Sequence, residues 1–586
     1  MFPNFSNPFS QSELNISNTG RLAVNLDDPT DSWTVLSNGI INYSGDASAG
    51  NFLAGSDINL GGTLNVTGDG RSTARLDIGG TININTAGEF LRLNAGGSTH
   101  TLAGGTINGP GSLSTETNDD LTGNGTINAN IDFNGTSDLA ANGGLLDVNG
   151  AITDVHTIRS QGAGTTLDLA QAFNTNVTGN GISVEGGTIQ GNTITLSTRN
   201  LRGQGTVSNR LVNDNVVRAL GGQLTLNNAL SDYDGAGNSG ELQAQTGDLR
   251  IVDNASFGFN GTVVAESGRL VLADGFELQL NAASTLDLNG GSFQSTVSTD
   301  FLGSIDTAAG QTSTISTPGS HFNSSATLQL DGDLEVIDDS LFTSGVAASG
   351  GGRLIAADFG RLTLGANVDL DVFVENQSEV SIAGAATGRA DVGDYLQDDS
   401  GSILFGLETT TLGGFDRLIV SGNAELAGEI ELANVGAGTF DAYDTISILS
   451  ATSGVIDTFD TVAGITDGLP LGQGFAVTYD PTSVFVTRAL LGDANLDGNV
   501  NVLTDAFALV GNLGTTSGAT FVDGDFTGDG AVDVLGDAFA LVGNLGTTFG
   551  ASSSLALSAS AVPEPGSATL IILAGITAIA QRRRQA

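Results

Sequence analysis

One short phrase recurs through the first half of the chain: a glycine turn, Thr or Gln, then apolar and polar residues in alternation. It reads GGTLNVTG at Gly61, GGTININTAG at Gly79, GGTINGPG at Gly104, GNGTINANI at Gly123, GGTIQGNTITL at Gly186, GQGTVSNRL at Gly203 and GGQLTLNN at Gly221. Alternation marks half-buried strands, and the glycines punctuate them. A loose spacing of about 18–25 residues suits a solenoid in which each rung stacks on the last. Stacking sets like residues above one another, so ladders of Asn and of Ile, Val and Leu are the expected glue. A string of antiparallel β-sandwich modules is the competing architecture.

Composition agrees with many short strands and tight turns. The 586 residues include 85 Gly, and only 14% are charged against 39% hydrophobic, which is not a disordered signature. All 19 basic residues are Arg. The net charge of -45 argues against nucleic acid as a partner, because phosphate contacts need basic patches. An acidic surface suits life outside the cell, where divalent cations bridge and screen it. Without Cys, the chain has no disulfides, thiolate metal sites or thiol catalysis.

The repeated phrase resembles the passenger regions of autotransporter adhesins and related repeat proteins. That resemblance implies an all-β fold, a right-handed parallel β-helix, over about residues 33–390. From about Ala390 the strands lengthen. Phe475–Leu490 reads as a terminal hairpin turning at Asp480-Pro481. Residues 391–488 are therefore expected to be the last rungs and a cap, or else a separate small β domain. Residues 1–32 read as an N-terminal segment or cap. They show no basic n-region or apolar h-region. A start placed too late, a fragment, or a chain without a leader would each explain this.

Asp493–Gly546 has different chemistry. The run DAFALVGNLGTT occurs twice, at Asp505–Thr516 and Asp537–Thr548, each time after an acidic loop. In the first loop Asp493, Asn495 and Asp497 alternate, Gly498 follows, and Asn501 and Asp505 come later. In the second, Asp525, Thr527 and Asp529 alternate, Gly530 follows, and Asp533 and Asp537 come later. Calcium takes six to eight oxygen ligands, and a chain wrapping it supplies them from alternate positions with glycine at the sixth. The carbonyls of Asn499 and Ala531 would fill the seventh positions. Val500 and Val532 at the eighth would point away and join the two loops in a short β contact. Each loop leads into an apolar helix, with Phe507, Val510 and Leu513, then Phe539, Val542 and Leu545, on one face and Gly514 or Gly546 ending it.

This arrangement resembles a type I dockerin, a tandem pair of loop–helix calcium motifs, here over residues 489–550. The resemblance implies two Ca2+ ions and a cohesin-like protein partner. The sequence departs from the pattern twice. The closing carboxylates, Asp505 and Asp537, fall at the thirteenth loop position, with Thr504 and Gly536 at the twelfth. Positions ten and eleven, often small hydroxyl residues in cohesin-binding dockerins, are Val502, Leu503, Val534 and Leu535. Calcium binding follows from the match more directly than cohesin binding.

Catalytic candidates are sparse. Asp119-Asp120, Asp338-Asp339 and Asp398-Asp399 read as turns. His100, His156 and His321 are dispersed and read as surface or corner residues. No nucleophile elbow sits in a strand-to-helix context, and a phosphate-binding loop with Lys is excluded because there is no Lys. A hydrolase would need two carboxylates across the scissile bond. A face lined by several carboxylates and an Arg would mark that class.

After a Ser/Ala-rich linker, 551–561, the chain ends in VPEPGSATLIILAGITAIAQRRRQA. The apolar run Ala568–Ala580 would span roughly 20 Å as a helix, less than the ~30 Å hydrocarbon core. Arg582, Arg583 and Arg584 follow and should stay cytoplasmic. Residues 562–586 resemble a PEP-CTERM sorting signal. That implies a C-terminal hydrophobic helix engaging the membrane and processing by an exosortase-type enzyme near Pro563–Pro565. It also implies delivery to the surface, outer envelope or extracellular matrix of a Gram-negative-type bacterium. The expectation is an exported, non-catalytic, adhesin-like surface that binds glycans, cells or an envelope component. A polysaccharide-degrading enzyme and a scaffold partner of a cohesin-like receptor are the alternatives.

Overall fold

The computed structural model describes residues 12–17, 22–23, 32–44, 53–54 and 57–549, except 135, 236–238, 253–255, 274, 276, 359, 385 and 436–439. The chain is a parallel β-solenoid of about 17 turns. It divides into two compact units, Met1–Asp306 and Thr307–Ala586. The parallel stacks exclude the sandwich alternative.

In the first unit the recurrent phrase forms the rungs. Thr63–Thr67 pairs in parallel with Thr81–Ile84, which pairs with Thr99–Asn108, which pairs with Asp120–Ile127. The register sets Ile41, Leu64, Ile82, Ile107, Ile127 and Val148 in one inward column, every member buried. Each such side chain contributes about 1.5–3 kcal/mol of burial. The very next residue faces out, and there the expected Asn ladder forms. Asn65, Asn83, Asn108, Asn128 and Asn149 each donate Nδ2 to the Oδ1 of the Asn one rung before, at 2.7, 2.8, 3.1, 2.7 and 2.9 Å. Because one amide both donates and accepts, the ladder has a direction.

The glycine pairs do more than turn the chain. A Cβ on Gly80 would lie 2.0 Å from the Gly62 carbonyl oxygen, and one on Gly125 would lie 2.3 Å from that of Gly105. Rung backbones pass so closely at this corner that no side chain fits.

Two residues read from the sequence lie deeper in this unit than expected. His100 is not at the surface: it is fully buried, and its Nδ1 accepts from the Leu76 N–H at 3.0 Å. Burial, then the nearby Arg75 charge, lowers its pKa to about 4, so the ring is neutral. Asp119 does close a turn, its N–H donating to Glu116 O at 3.3 Å, but its side chain is not at the surface. It is buried, and its Oδ1 accepts from the N–H groups of Ala95, Gly97 and Ser98. Both side chains accept from backbone N–H groups of other segments, His100 from a strand and Asp119 from a corner.

In the second unit each rung has three strands, as in Arg417–Val420, Asn423–Glu425 and Glu429–Asn434. Strands before, at and after Ala390 belong to the same stacks: Val368–Leu370 pairs with Arg389–Val392, which pairs with Arg417–Val420. The final rung is Thr445–Ala451, Gly454–Ile456 and Thr461–Ala463. The expected hairpin follows, Gln473–Asp480 against Ser483–Leu490, with Thr482 N–H donating to Asp480 Oδ1 at its turn. Two short helices complete the described chain, α1 (Asp505–Asn512) and α2 (Asp537–Asn544). Among the described residues no helix is long and apolar enough to cross a membrane. The linker 551–561 and the expected sorting helix in 562–586 lie outside the described residues.

Candidate metal centre

Each acidic loop closes around two buried carboxylates. In the first, Asp493 accepts from the N–H groups of Asp497 at 3.2 Å and Gly498 at 2.8 Å. Asp505, the first residue of α1, reaches back to accept from Asn495 N–H at 3.3 Å and Asn501 N–H at 2.8 Å. The second loop repeats this. Asp525 accepts from Gly528 at 2.8 Å and Gly530 at 2.9 Å, while Asp537 accepts from Phe526 at 2.8 Å, Thr527 at 3.1 Å and Asp533 at 2.8 Å. The thirteenth-position carboxylates are therefore not displaced from their loops. The helix starts at that residue and turns it inward.

Burial raises the pKa of Asp493, Asp525 and Asp537. The Asp505 charge adds to the rise at Asp493, and the Asp537 and Asp529 charges add to it at Asp525, while the loop amides pull the other way. Among the described residues none of the four forms an ion pair with Arg or His.

The remaining expected ligands form the rim. Asn495, Asp497, Asn499, Thr527, Asp529 and Asp533 are exposed, and Asn501 and Ala531 are half-buried. Asp497 accepts from Asn499 N–H at 2.9 Å, Asp529 from Ala531 N–H at 3.0 Å, and Asn501 from Leu503 N–H at 2.9 Å. Thr527 Oγ1 bridges Asp525 and Asp537, 3.2 Å from each. Among the described residues no three acidic or histidine side chains stand close enough together to hold a metal ion. The donor set nonetheless suits a hard cation: it is all oxygen, and among the described residues its buried negative pairs lack a positive partner.

The two repeats clasp one another. Val500 exchanges backbone hydrogen bonds with the segment after α2: its N–H donates to Thr547 O and its carbonyl accepts from Gly546 N–H. Val532 does the same with Thr515 and Gly514 after α1. The expected contact between the two valines is thus replaced by a reciprocal exchange. Gly492, just before the first loop, would bring a Cβ within 2.7 Å of Leu541 Cα on α2, and Gly524 would do so within 2.7 Å of Leu509 Cα on α1. Of the expected helix face, Val510, Leu513, Val542 and Leu545 pack half-buried against the core, but the two Phe residues do not. Ala506 and Leu509 are buried, as are Ala538 and Leu541, whereas Phe507 is 65% and Phe539 61% exposed. Crossing the repeats at Gly492 and Gly524 brings each Leu, not each Phe, into the shared core.

On the second unit, several carboxylates gather around an Arg, the feature that would mark a hydrolase. Arg353 bridges Asp333, at 2.6 Å, and Glu375. Burial raises the Glu335 pKa, with the neighbouring Asp358, Asp333 and Glu375 charges adding to it. On the first unit His156, read as a surface or corner residue, has an acidic partner: its Nδ1 lies 3.0 Å from Asp138, which also pairs with Arg159.

No protein-family model matches the chain, and no curated protein matches it at a significant level. The loop geometry also includes a residue that sequence reading passed over. Tyr443, from the final solenoid rungs, donates its hydroxyl to Asp493 Oδ2 at 2.5 Å. It lies 50 residues upstream, in no motif, so nothing in the sequence singles it out.

Proposed function

We propose that this is an exported, non-catalytic surface or matrix protein whose β-solenoid presents an acidic, Asn- and Thr-rich face to glycans or neighbouring cells, and whose paired loops bind two calcium ions. The observation that carries the calcium reading is the set of four buried carboxylates, Asp493, Asp505, Asp525 and Asp537, with no basic partner among the described residues. Together with Asn495, Asp497, Asn501, Thr527, Asp529 and Asp533 and the carbonyls of Asn499 and Ala531, they would hold the cations. A bound cation neutralises charge that burial otherwise makes costly. Export, cell-surface or envelope delivery and exosortase-type processing rest on the sorting-signal resemblance of the tail. A cohesin-like partner rests on the dockerin resemblance.

Calorimetric calcium titration of the full chain tests the reading. Two ions bound per chain, with loss of both in Asp493→Ala/Asp525→Ala, supports it. Absence of binding at millimolar calcium overturns it. A second reading, a polysaccharide-degrading enzyme, is favoured only by the Arg353 cluster with its raised Glu335. Release of new chain ends from uronate-rich or sulfated glycans, abolished by Glu335→Gln, would support that reading.

A further inference from the structure

A solenoid ends in strand edges whose unpaired N–H and C=O groups invite fraying or pairing with other chains. Each of the three faces in the final rung has its edge covered. Thr445–Ala451 is covered by the antiparallel strand Ser483–Leu490. Gly454–Ile456 is covered at the hairpin turn, where Val455 N–H donates to Pro481 O at 2.8 Å. Thr461–Ala463 is covered by the second acidic loop, where Val462 N–H donates to Gly528 O at 2.6 Å.

The first loop is tied to the same end. Tyr443 Oη donates to Asp493 and accepts from Leu490 N–H at 3.2 Å, while its backbone N–H donates to Arg488 O. Its backbone sits at φ 60, an unusual conformation for a bulky residue. Phe549 packs edge-on against its ring at 5.2 Å, and Phe549 N–H donates to Gly498 O in the first loop. One continuous apolar core joins the two parts: Ile465, Ala476, Ala489 and Leu490 from the solenoid end with Val500, Leu509, Phe521, Phe526, Val532 and Leu541 from the loop pair.

We infer that the paired loops are a cation-dependent end cap built onto the solenoid, not a freely tethered module, and that Tyr443 positions Asp493 for the first ion. This rests on the calcium reading above and adds to it a role for the ion: holding the last rungs closed. With calcium the loops are rigid, the Val462 edge is covered and Tyr443 is held. Without it the buried carboxylates repel, the loops open and the final rungs are exposed to solvent.

The test is hydrogen exchange of the full chain in calcium and after chelation, beside calorimetry on the same samples. Chelation is expected to speed exchange at least tenfold in peptides spanning 443–465 and 483–490, while rungs nearer 320–340 change little. Tyr443→Phe is expected to weaken the first site by about 10- to 100-fold, the usual cost of losing a ligand's outer partner, and to leave the second unchanged. A merely structural role would weaken both sites or neither. Two ions bound with unchanged exchange at 443–465 and 483–490 would overturn the cap while leaving the calcium reading intact. Absence of binding would overturn both.

Discussion

Asn83 sits in the middle of the directional amide ladder, and replacing it separates the two rungs it joins. It donates to Asn65 at 2.8 Å and accepts from Asn108 at 3.1 Å. Asn83→Ala removes both bonds. At about 0.5–1.5 kcal/mol each, the loss is about 1–3 kcal/mol. Stacked rungs open locally, so the readout is hydrogen exchange, where this loss accelerates opening by about 5- to 150-fold. Both neighbours, Thr63–Thr67 and Thr99–Asn108, should lose protection. Asn83→Asp breaks the symmetry. Its carboxylate still accepts from Asn108 but opposes the Asn65 oxygen, so only Thr63–Thr67 should open. That opposition raises the new carboxyl's folded pKa above its unfolded value near ~4. Its contribution is then complete below the unfolded pKa and lost as pH rises through the folded one. Measured against wild type at each pH, Asn83→Asp should be near wild type at pH about 3 and deficient at pH 7. Equal deprotection of both rungs, or no recovery in acid, would refute the directional ladder.

Three further outcomes are expected. Asp416 is buried between the N–H groups of Gly388 and Gly406, and burial pushes its pKa from 3.8 up to about 7. The folded state therefore holds a proton that the unfolded state releases. Stability from this group falls as pH rises from about 4 to 7, by up to about 4 kcal/mol, and thermal melts of Asp416→Asn should lack that slope. Gly492→Ala and Gly524→Ala each force a Cβ to 2.7 Å from a helix Cα at φ 98 and 104. Both should lower calcium affinity at both sites by titration, because each loop leans on the other repeat's helix; loss confined to one site would contradict the clasp. The second loop offers four carboxylates, Asp525, Asp529, Asp533 and Asp537, against three in the first, Asp493, Asp497 and Asp505. It should be the tighter site by titration, and equal or reversed affinities would refute that ordering.

The repeated glycine phrase was enough to specify a β-solenoid with Asn and aliphatic ladders, because a stacked rung makes its nearest contacts with its own copy one turn away. Alternation fixed which residues face in, and the Asp480-Pro481 turn fixed the closing hairpin. The loop spacing likewise revealed two oxygen-lined turns. Local pattern did not reveal what depends on contacts between distant segments. His100 and Asp119 look like surface residues until the backbone amides they satisfy are in place. Phe507 has the spacing of a core residue, yet the crossing of the repeats at Gly492 and Gly524 selects Leu509 instead. Tyr443 belongs to no motif and meets Asp493 only because the solenoid's last rung and the first loop are brought together in space. The sequence by itself determined the rungs and the loops, since both arise from short-range periodicity. Tertiary structure alone decided that the loops close over the solenoid's end, because an edge's unpaired N–H and C=O groups find partners only once the chain has folded back onto them.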